Sequence, residues 1–190
     1  MSGFYKPVAA TRILDTISIP IEWPEDGAVP FSGPVLMSNG TYCRVRIRDA
    51  SNAATQEVII NLRMPDDLVA SSGIKFRPIG FITSATPPAS TEGINFKGGG
   101  YSIGMGDAGE GALGALSEVE IADLHAAGCA AQYDIFDAGY SGTMAVTNLA
   151  AGEQAVISII RDQADAVDDY AQPVGISEII FQITRQPIAA

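Results

Sequence analysis

In the run Ile176–Arg185, Ile179, Phe181 and Ile183 alternate with Glu178, Gln182 and Thr184. Such a period of two is the pattern of a strand with one face buried and the other turned to solvent. It recurs along the chain. In Thr41–Arg48, Cys43, Val45 and Ile47 alternate with Arg44, Arg46 and Arg48. In Glu57–Arg63 the inward set is Val58, Ile60 and Leu62, and in Ser117–Ile121 Glu118 and Glu120 alternate with Val119 and Ile121. The runs Ala9–Leu14, Ile17–Ile21, Ile74–Ser84, Gln132–Phe136, Thr143–Thr147 and Gln154–Arg161 also read as strands. Pro78 and Gly80 predict a bulge in the first half of the chain. The triplet Gly98-Gly99-Gly100 predicts a break between two short strands, Ile94–Lys97 and Tyr101–Met105. Met64-Pro-Asp-Asp67 predicts a short helical turn, and Asp123–Ala131 a turn or bend. The pattern holds no long amphipathic helix and no internal repeat. About ten strands joined by turn residues predict an all-β fold, a jelly-roll-like antiparallel β-sandwich.

Four prolines, Pro20, Pro24, Pro30 and Pro34, interrupt the early chain. Residues 1–40 are therefore expected to form one or two strands and a proline-rich extended arm, with residues 41–190 as the sandwich proper. Trp23 and Phe31 lie in that arm, where aromatics on an extended backbone suit contacts with a partner.

Composition sharpens this picture. The 190 residues are 47% hydrophobic but only 17% charged, against roughly a quarter in ordinary soluble domains. Few charges and many small residues suit a protein packed against other copies. The net charge of −11 is uneven: residues 1–97 carry nine basic and nine acidic side chains, and residues 98–190 carry two and thirteen. An acidic surface repels nucleic acid and anionic membranes, so neither is expected as a direct partner. No run approaches the roughly 20 apolar residues of a membrane-spanning helix, and Met1-Ser-Gly-Phe-Tyr-Lys6 does not begin a signal peptide. Two cysteines, Cys43 and Cys129, cannot form a disulfide framework or a four-cysteine zinc site. Cys43 reads as a buried thiol; the two could also pair with each other.

The candidate chemistry is sparse. Gly104-Met-Gly-Asp-Ala-Gly109 has the spacing of a phosphate-binding loop, but the acidic stretch after it makes a poor helix start and reads as a flexible loop. His125 is the single histidine, with Cys129 four residues on. A Cys–His dyad on one helical turn is conceivable, but nothing in the pattern orients the imidazole. No catalytic role is expected. Asp162, Asp165, Asp168 and Asp169 form the one candidate metal site, for calcium, because hard cations want clustered oxygens. The same four residues equally suit a polar turn in which aspartates accept hydrogen bonds from backbone amides. Arg44, Arg46 and Arg48 form a basic stripe, read either as a solvated sheet face or as a contact for an acidic partner such as a second copy.

The stretch Val156-Ile-Ser-Ile-Ile-Arg-Asp162, followed by Ala166-Val-Asp-Asp-Tyr170-Ala and Val174-Gly-Ile-Ser-Glu-Ile-Ile-Phe181, resembles the closing segment of tailed-bacteriophage virion structural proteins. Asn61-Leu-Arg-Met-Pro-Asp-Asp67 is similar to the middle part of the same family. The resemblance implies a jelly-roll capsid cement (decoration) protein, without enzymatic activity. It implies a homotrimer bound to the major capsid protein on the outer surface of the virion. The first forty residues have no counterpart in that pattern. A second expectation from the same fold is a carbohydrate-binding or host-attachment module of a fibre or spike, with an aromatic groove around Tyr133, Phe136 and Tyr140.

Overall fold

Side chains that alternate between apolar and polar need a sheet with one face against a core, and twelve strands among the described residues satisfy that need. The computed structural model describes residues 12–20, 25–26, 35–38, 44–50, 56–107, 111 and 113–186; of these, 20, 25–26, 35–38 and 44–50 are described by their backbone. The strands are β1 (Ile13–Pro20), β2 (Glu25–Asp26), β3 (Val35–Ser38), β4 (Arg44–Ala50), β5 (Gln56–Arg63) and β6 (Lys75–Ile82). They continue with β7 (Ile94–Ile103), β8 (Ser117–Ile121), β9 (Ile135–Asp137), β10 (Val146–Thr147), β11 (Gln154–Arg161) and β12 (Val174–Arg185). The helical content among the described residues is one 3₁₀ turn, Ala70–Ser72. None of these residues forms a helix long and apolar enough to cross a membrane.

One sheet runs β3-β4-β12-β6-β9, with β1 also beside β12; the other runs β10-β7-β11-β5-β2, with β8 also beside β7. Eight of these strands define the architecture: β4, β5, β6, β7, β8, β9, β11 and β12. The first pairs with the last, β4 with β12. The second pairs with the seventh, β5 with β11, and the third with the sixth, β6 with β9. The middle two, β7 and β8, pair with each other. All four pairings are antiparallel. A ribbon of nested pairs folded over itself into two facing sheets is the jelly roll, so the sandwich predicted from alternation is the one observed.

Two short strands are described within the expected proline-rich arm. β2 adds to β5 in one sheet and β3 adds to β4 in the other. β1 lies antiparallel to residues 178–185 of β12 over eight register positions, end to end with β4, which occupies positions 174–176 of the same edge.

The core lies between the sheets. Val58, Ile60 and Leu62 of β5 are buried, as are Ala155, Ile157 and Ile159 of β11. Ile179, Phe181 and Ile183 of β12 are buried too, as their alternation predicts. But Val174 and Ile176 are also buried, so the parity of β12 switches along its length. The register shift between Ile176 and Glu178 explains it: Ser177 is the extra residue, opposite the Ile79–Gly80 step of β6. A bulge reverses which side chains face inward beyond it. The predicted irregularity at Pro78 and Gly80 is thus real in position, but the additional residue sits on the partner strand.

The glycine triplet does not break a strand. β7 runs straight through Gly98, Gly99 and Gly100. A Cβ on Gly98 would stand 2.7 Å from the Phe76 ring, and one on Gly100 would stand 2.5 Å from the Val156 carbonyl oxygen. These positions lack side chains because core aromatics and a neighbouring backbone fill that space.

Candidate functional site

The densest polar constellation among the described residues grows from the β7–β8 pair. Ile94 and Phe96 of β7 and Val119 and Ile121 of β8 point into the core. Alternation therefore sends Asn95 and Lys97 to the outer face, together with Glu118 and Glu120. Register sets Asn95 opposite Glu120 and Lys97 opposite Glu118; directly opposed residues share a face and stand about 5 Å apart.

The loop after β11 folds over this end of the sheet. The amide of Asp162 donates to the Asn95 carbonyl at 3.1 Å, and that of Tyr170 to the Gly93 carbonyl at 3.2 Å. Its aspartates, three residues apart, mark successive tight turns. The amide of Asp165 donates to the carbonyl of Asp162, and that of Asp168 to the carbonyl of Asp165, each at 3.1 Å. The Asp162 carboxylate accepts from the Ala164 amide and the Asp165 carboxylate from the Val167 amide. Short acidic side chains that hydrogen-bond the backbone two residues on favour such turns. The loop comes so close to the sheet that a Cβ on Gly93 would lie 2.7 Å from the Val167 carbonyl oxygen.

The four aspartates proposed as one calcium site divide three ways. Asp168 turns inward to Arg161, and both side chains are fully buried. Arg161 Nη2 donates to Asp168 Oδ1 at 2.6 Å and Nε donates to Oδ2 at 2.9 Å. The same guanidinium reaches the carbonyls of Tyr170 at 2.8 Å and Gln172 at 3.0 Å. Asp169 accepts from the Gly93 amide at 2.8 Å. Asp162 and Asp165 stay outside, around Lys97. Its Nζ lies 2.6 Å from Asp162 Oδ2, 3.0 Å from Glu118 Oε1 and 3.5 Å from Asp165 Oδ2. Hydrogen bonds donated to Asp162 and then to Glu118 raise the pKa of this ammonium. The Asp165 carboxyl is held below the usual carboxylate range by the Val167 amide first, and by Lys97.

The carboxylates that do converge are Glu118, Glu120 and Asp165, with one oxygen from each lying within 4.8 Å of the others. Sequence reasoning assigned the glutamates to a strand face but could not join them to the loop, because strand pairing creates that neighbourhood. It also missed Asn95, a wholly buried amide whose Nδ2 and Oδ1 have no hydrogen-bond partner among the described residues. Its single signal in the sequence was a polar residue between Ile94 and Phe96.

The other candidates fall elsewhere. Arg44, Arg46 and Arg48 run in β4 opposite Ser38, Leu36 and Ile176; their side chains lie outside the described residues, as do Trp23, Phe31 and Cys43. His125 is exposed on a turn, while Cys129 is a free, fully buried thiol directed at the Ile135 carbonyl. The two are not displayed on a common surface, and burial pushes the thiol pKa up. The Gly104–Asp107 part of the glycine-rich loop is a turn closed by the Asp107 carboxylate on the Gly104 amide. The next described element is a strand, not the helix a phosphate loop requires. The expected aromatic groove is not formed by its three residues. Phe136 belongs to the core, stacked on Phe96, and Tyr140 lies beneath the Arg77 guanidinium at 5.4 Å.

Among the described residues, three carboxyls are held low in the fold: Asp15 by Arg185, Asp137 by Arg77, and Asp165 as above. In the unfolded chain such groups titrate near about 3.9. Because their folded pKa is lower, the unfolded state binds protons more readily, and the stabilisation is present above about pH 4 and lost as pH falls through the folded values. The urea midpoint is expected to be flat from about pH 5 to 7 and to drop steeply below about pH 4. A midpoint that holds steady to about pH 2.5 would contradict this assignment.

No family model matches the chain, and no curated protein matches it. A solved structure similar to it is the crystal structure of a protein of unknown function from Shewanella oneidensis MR-1. It is 13% identical, with a TM-score of 0.32, over 100% of this chain and 99% of that one.

Proposed function

We propose that this chain is a non-enzymatic structural protein of a phage-type virion, a cement protein that binds the outside of an assembled shell. The observation that carries the reading is the nested strand order of the jelly roll, an architecture shared with viral capsid domains. Two further features support it. Met105, Leu113 and Leu116 are exposed around the loops between β7 and β8, and Ile135 is exposed on β9 at a sheet edge. Apolar side chains left outside a well-filled core suit contacts with other chains. The net charge of −11 favours an outer position over one facing packaged nucleic acid. In this reading the partners are further copies, as a homotrimer, and the major capsid protein. The mechanism is mass action: a ligand that binds the assembled shell and not its free subunits stabilises the shell.

The test adds the purified chain to undecorated capsids and follows binding by cosedimentation and electron microscopy. Light scattering gives the state of the free chain. Saturable binding at threefold positions, with a raised capsid melting temperature, is expected. A monomer that leaves capsids bare overturns the proposal, and glycan binding by such a monomer would make it an attachment module.

A further inference from the structure

We propose that Glu118, Glu120 and Asp165, completed by the Asn95 side-chain oxygen, form a site for one calcium ion on the outer face of the β7–β8 end of the sandwich. This inference is independent of the capsid reading. It rests on three observations: the spacing of the carboxylates, the state of Asn95, and the local charge.

Oxygens bound to one calcium stand about 2.3–2.6 Å from it, so ligands on opposite sides of the ion are about 4.6–5.2 Å apart. The three carboxylate oxygens lie within 4.8 Å of one another, close enough to share one such ion. Magnesium bonds at about 2.0–2.1 Å and demands strict octahedral geometry. Two of the ligands sit on a strand and one on a loop, an arrangement with the give that calcium tolerates.

Asn95 is the second, independent pointer. Its side chain is fully buried and leaves both polar atoms without a hydrogen-bond partner among the described residues. A buried amide left without partners is destabilising, because it has lost its hydrogen bonds to water and gained none in return. Its register partner is Glu120, and its NH2 side lies toward the Asp165 carboxylate, short of hydrogen-bond geometry, so an arriving cation turns the amide over to present Oδ1. A cation between these groups gives the amide oxygen a partner, and the amide oxygen of asparagine is an ordinary calcium ligand.

Charge supplies the driving force and a competitor. Among the described residues, Glu118, Asp162 and Asp165 share one ammonium, Lys97, and Glu120 adds a fourth carboxylate to the cluster, an excess of three negative charges. Without calcium, Lys97 partly neutralises Glu118 and Asp165 while making its shortest contact with Asp162. With calcium bound, Lys97 keeps Asp162 and yields the other two. Lys97 therefore acts as a built-in competitor that sets the affinity.

The experiment is calorimetric titration of the chelator-treated full chain with calcium chloride and, separately, magnesium chloride at fixed ionic strength, paired with thermal melts. One calcium per chain is expected, with a Kd on the order of 10⁻⁵–10⁻³ M, and weaker magnesium binding. Glu120→Gln should weaken calcium at least tenfold while leaving the calcium-free melting temperature unchanged or higher, because it relieves repulsion. Lys97→Met should do the reverse, tightening calcium while lowering the calcium-free melting temperature. If Glu120→Gln fails to fold, the exposed Glu118→Gln reads the same contact. Absence of saturable calcium binding in both the wild type and Lys97→Met overturns the proposal. So does binding whose affinity is untouched by the glutamate substitutions.

Discussion

Replacing Arg161 with alanine is expected to destabilise the protein by about 3–5 kcal/mol, the usual cost of breaking a buried ion pair by removing one partner. For a chain of this size that lowers the melting temperature by roughly 6–20 °C. The reason lies in what the substitution strands. The Asp168 carboxyl group loses its two-pronged partner in a site where both side chains are fully excluded from water. The carbonyls of Tyr170 and Gln172 lose their donor at the same time. All three groups belong to the loop joining β11 to β12, so the loss falls on the connection between the two sheets. Lysine at 161 should recover little, since an ammonium cannot reproduce the fork that reaches a carboxylate and two carbonyls together. Arg161→Met with Asp168→Leu should recover much of the stability, because an apolar pair of similar volume removes the stranded charge. Recovery should be incomplete, as the loop carbonyls and the Asn95 backbone N–H, which donates to the Asp168 carboxylate at 3.3 Å, lose those partners. Urea melts of the three variants measure this order. An alanine variant within about 1 kcal/mol of the wild type would show that the pair is not buried as described.

Strands with alternating apolar residues were legible because burial on one face writes itself into every second position. β5 and the second half of β12 follow that rule residue by residue, while β11 departs from it at Ser158 and Arg161, both buried. The first half of β12 does not, since its parity depends on Ser177, an extra residue that nothing in Val174-Gly-Ile-Ser-Glu178 marks. The glycine triplet misled for a related reason. Glycine signals a break when conformational freedom is its purpose, but here its purpose is the space taken by Phe76 and the Val156 carbonyl, which arrive from elsewhere in the chain. The acidic loop was legible as acidic and as a run of turns. Its partition was not: Asp168 goes to a buried arginine, and Asp162 and Asp165 go to Lys97. The uneven charge of the two halves is also partly resolved within the chain. Arg77 and Lys97 of the neutral half pair with Asp137, Glu118 and Asp162 of the acidic one. Less of the acidic surface therefore remains for a basic partner than the sequence alone suggests.

Phe136→Ala is the second substitution with a large expected cost, about 3–5 kcal/mol, the range for truncating a buried phenylalanine. Phe136 is the central residue of β9, only three residues long, and pairs with Gly80 of β6. Its ring is 1% exposed and stacks on Phe96 with centroids 6.3 Å apart. The ring also occupies the place a side chain at Gly80 would take, since a Cβ there would stand 2.5 Å from it. Alanine leaves a gap that neither rigid neighbour can fill, and β9 loses its hold on the core. Leucine should cost less because it restores part of the volume. Tyr133→Ala should fall within about 0.5 kcal/mol, as expected for an exposed side chain. Thermal melts separate the two roles this segment has been assigned. A carbohydrate groove that included Phe136 would lose glycan binding while keeping its melting temperature. A core residue loses the melting temperature first. The contrast extends to the proposed shell contacts: Ile135, next in the chain, is 60% exposed, and Ile135→Ser should leave the fold intact. If Ile135→Ser weakens capsid binding at an unchanged melting temperature, the β9 edge is a contact surface. If Phe136→Ala melts within about 2 °C of the wild type, less than the shift expected from even 1 kcal/mol, β9 is not anchored through that ring.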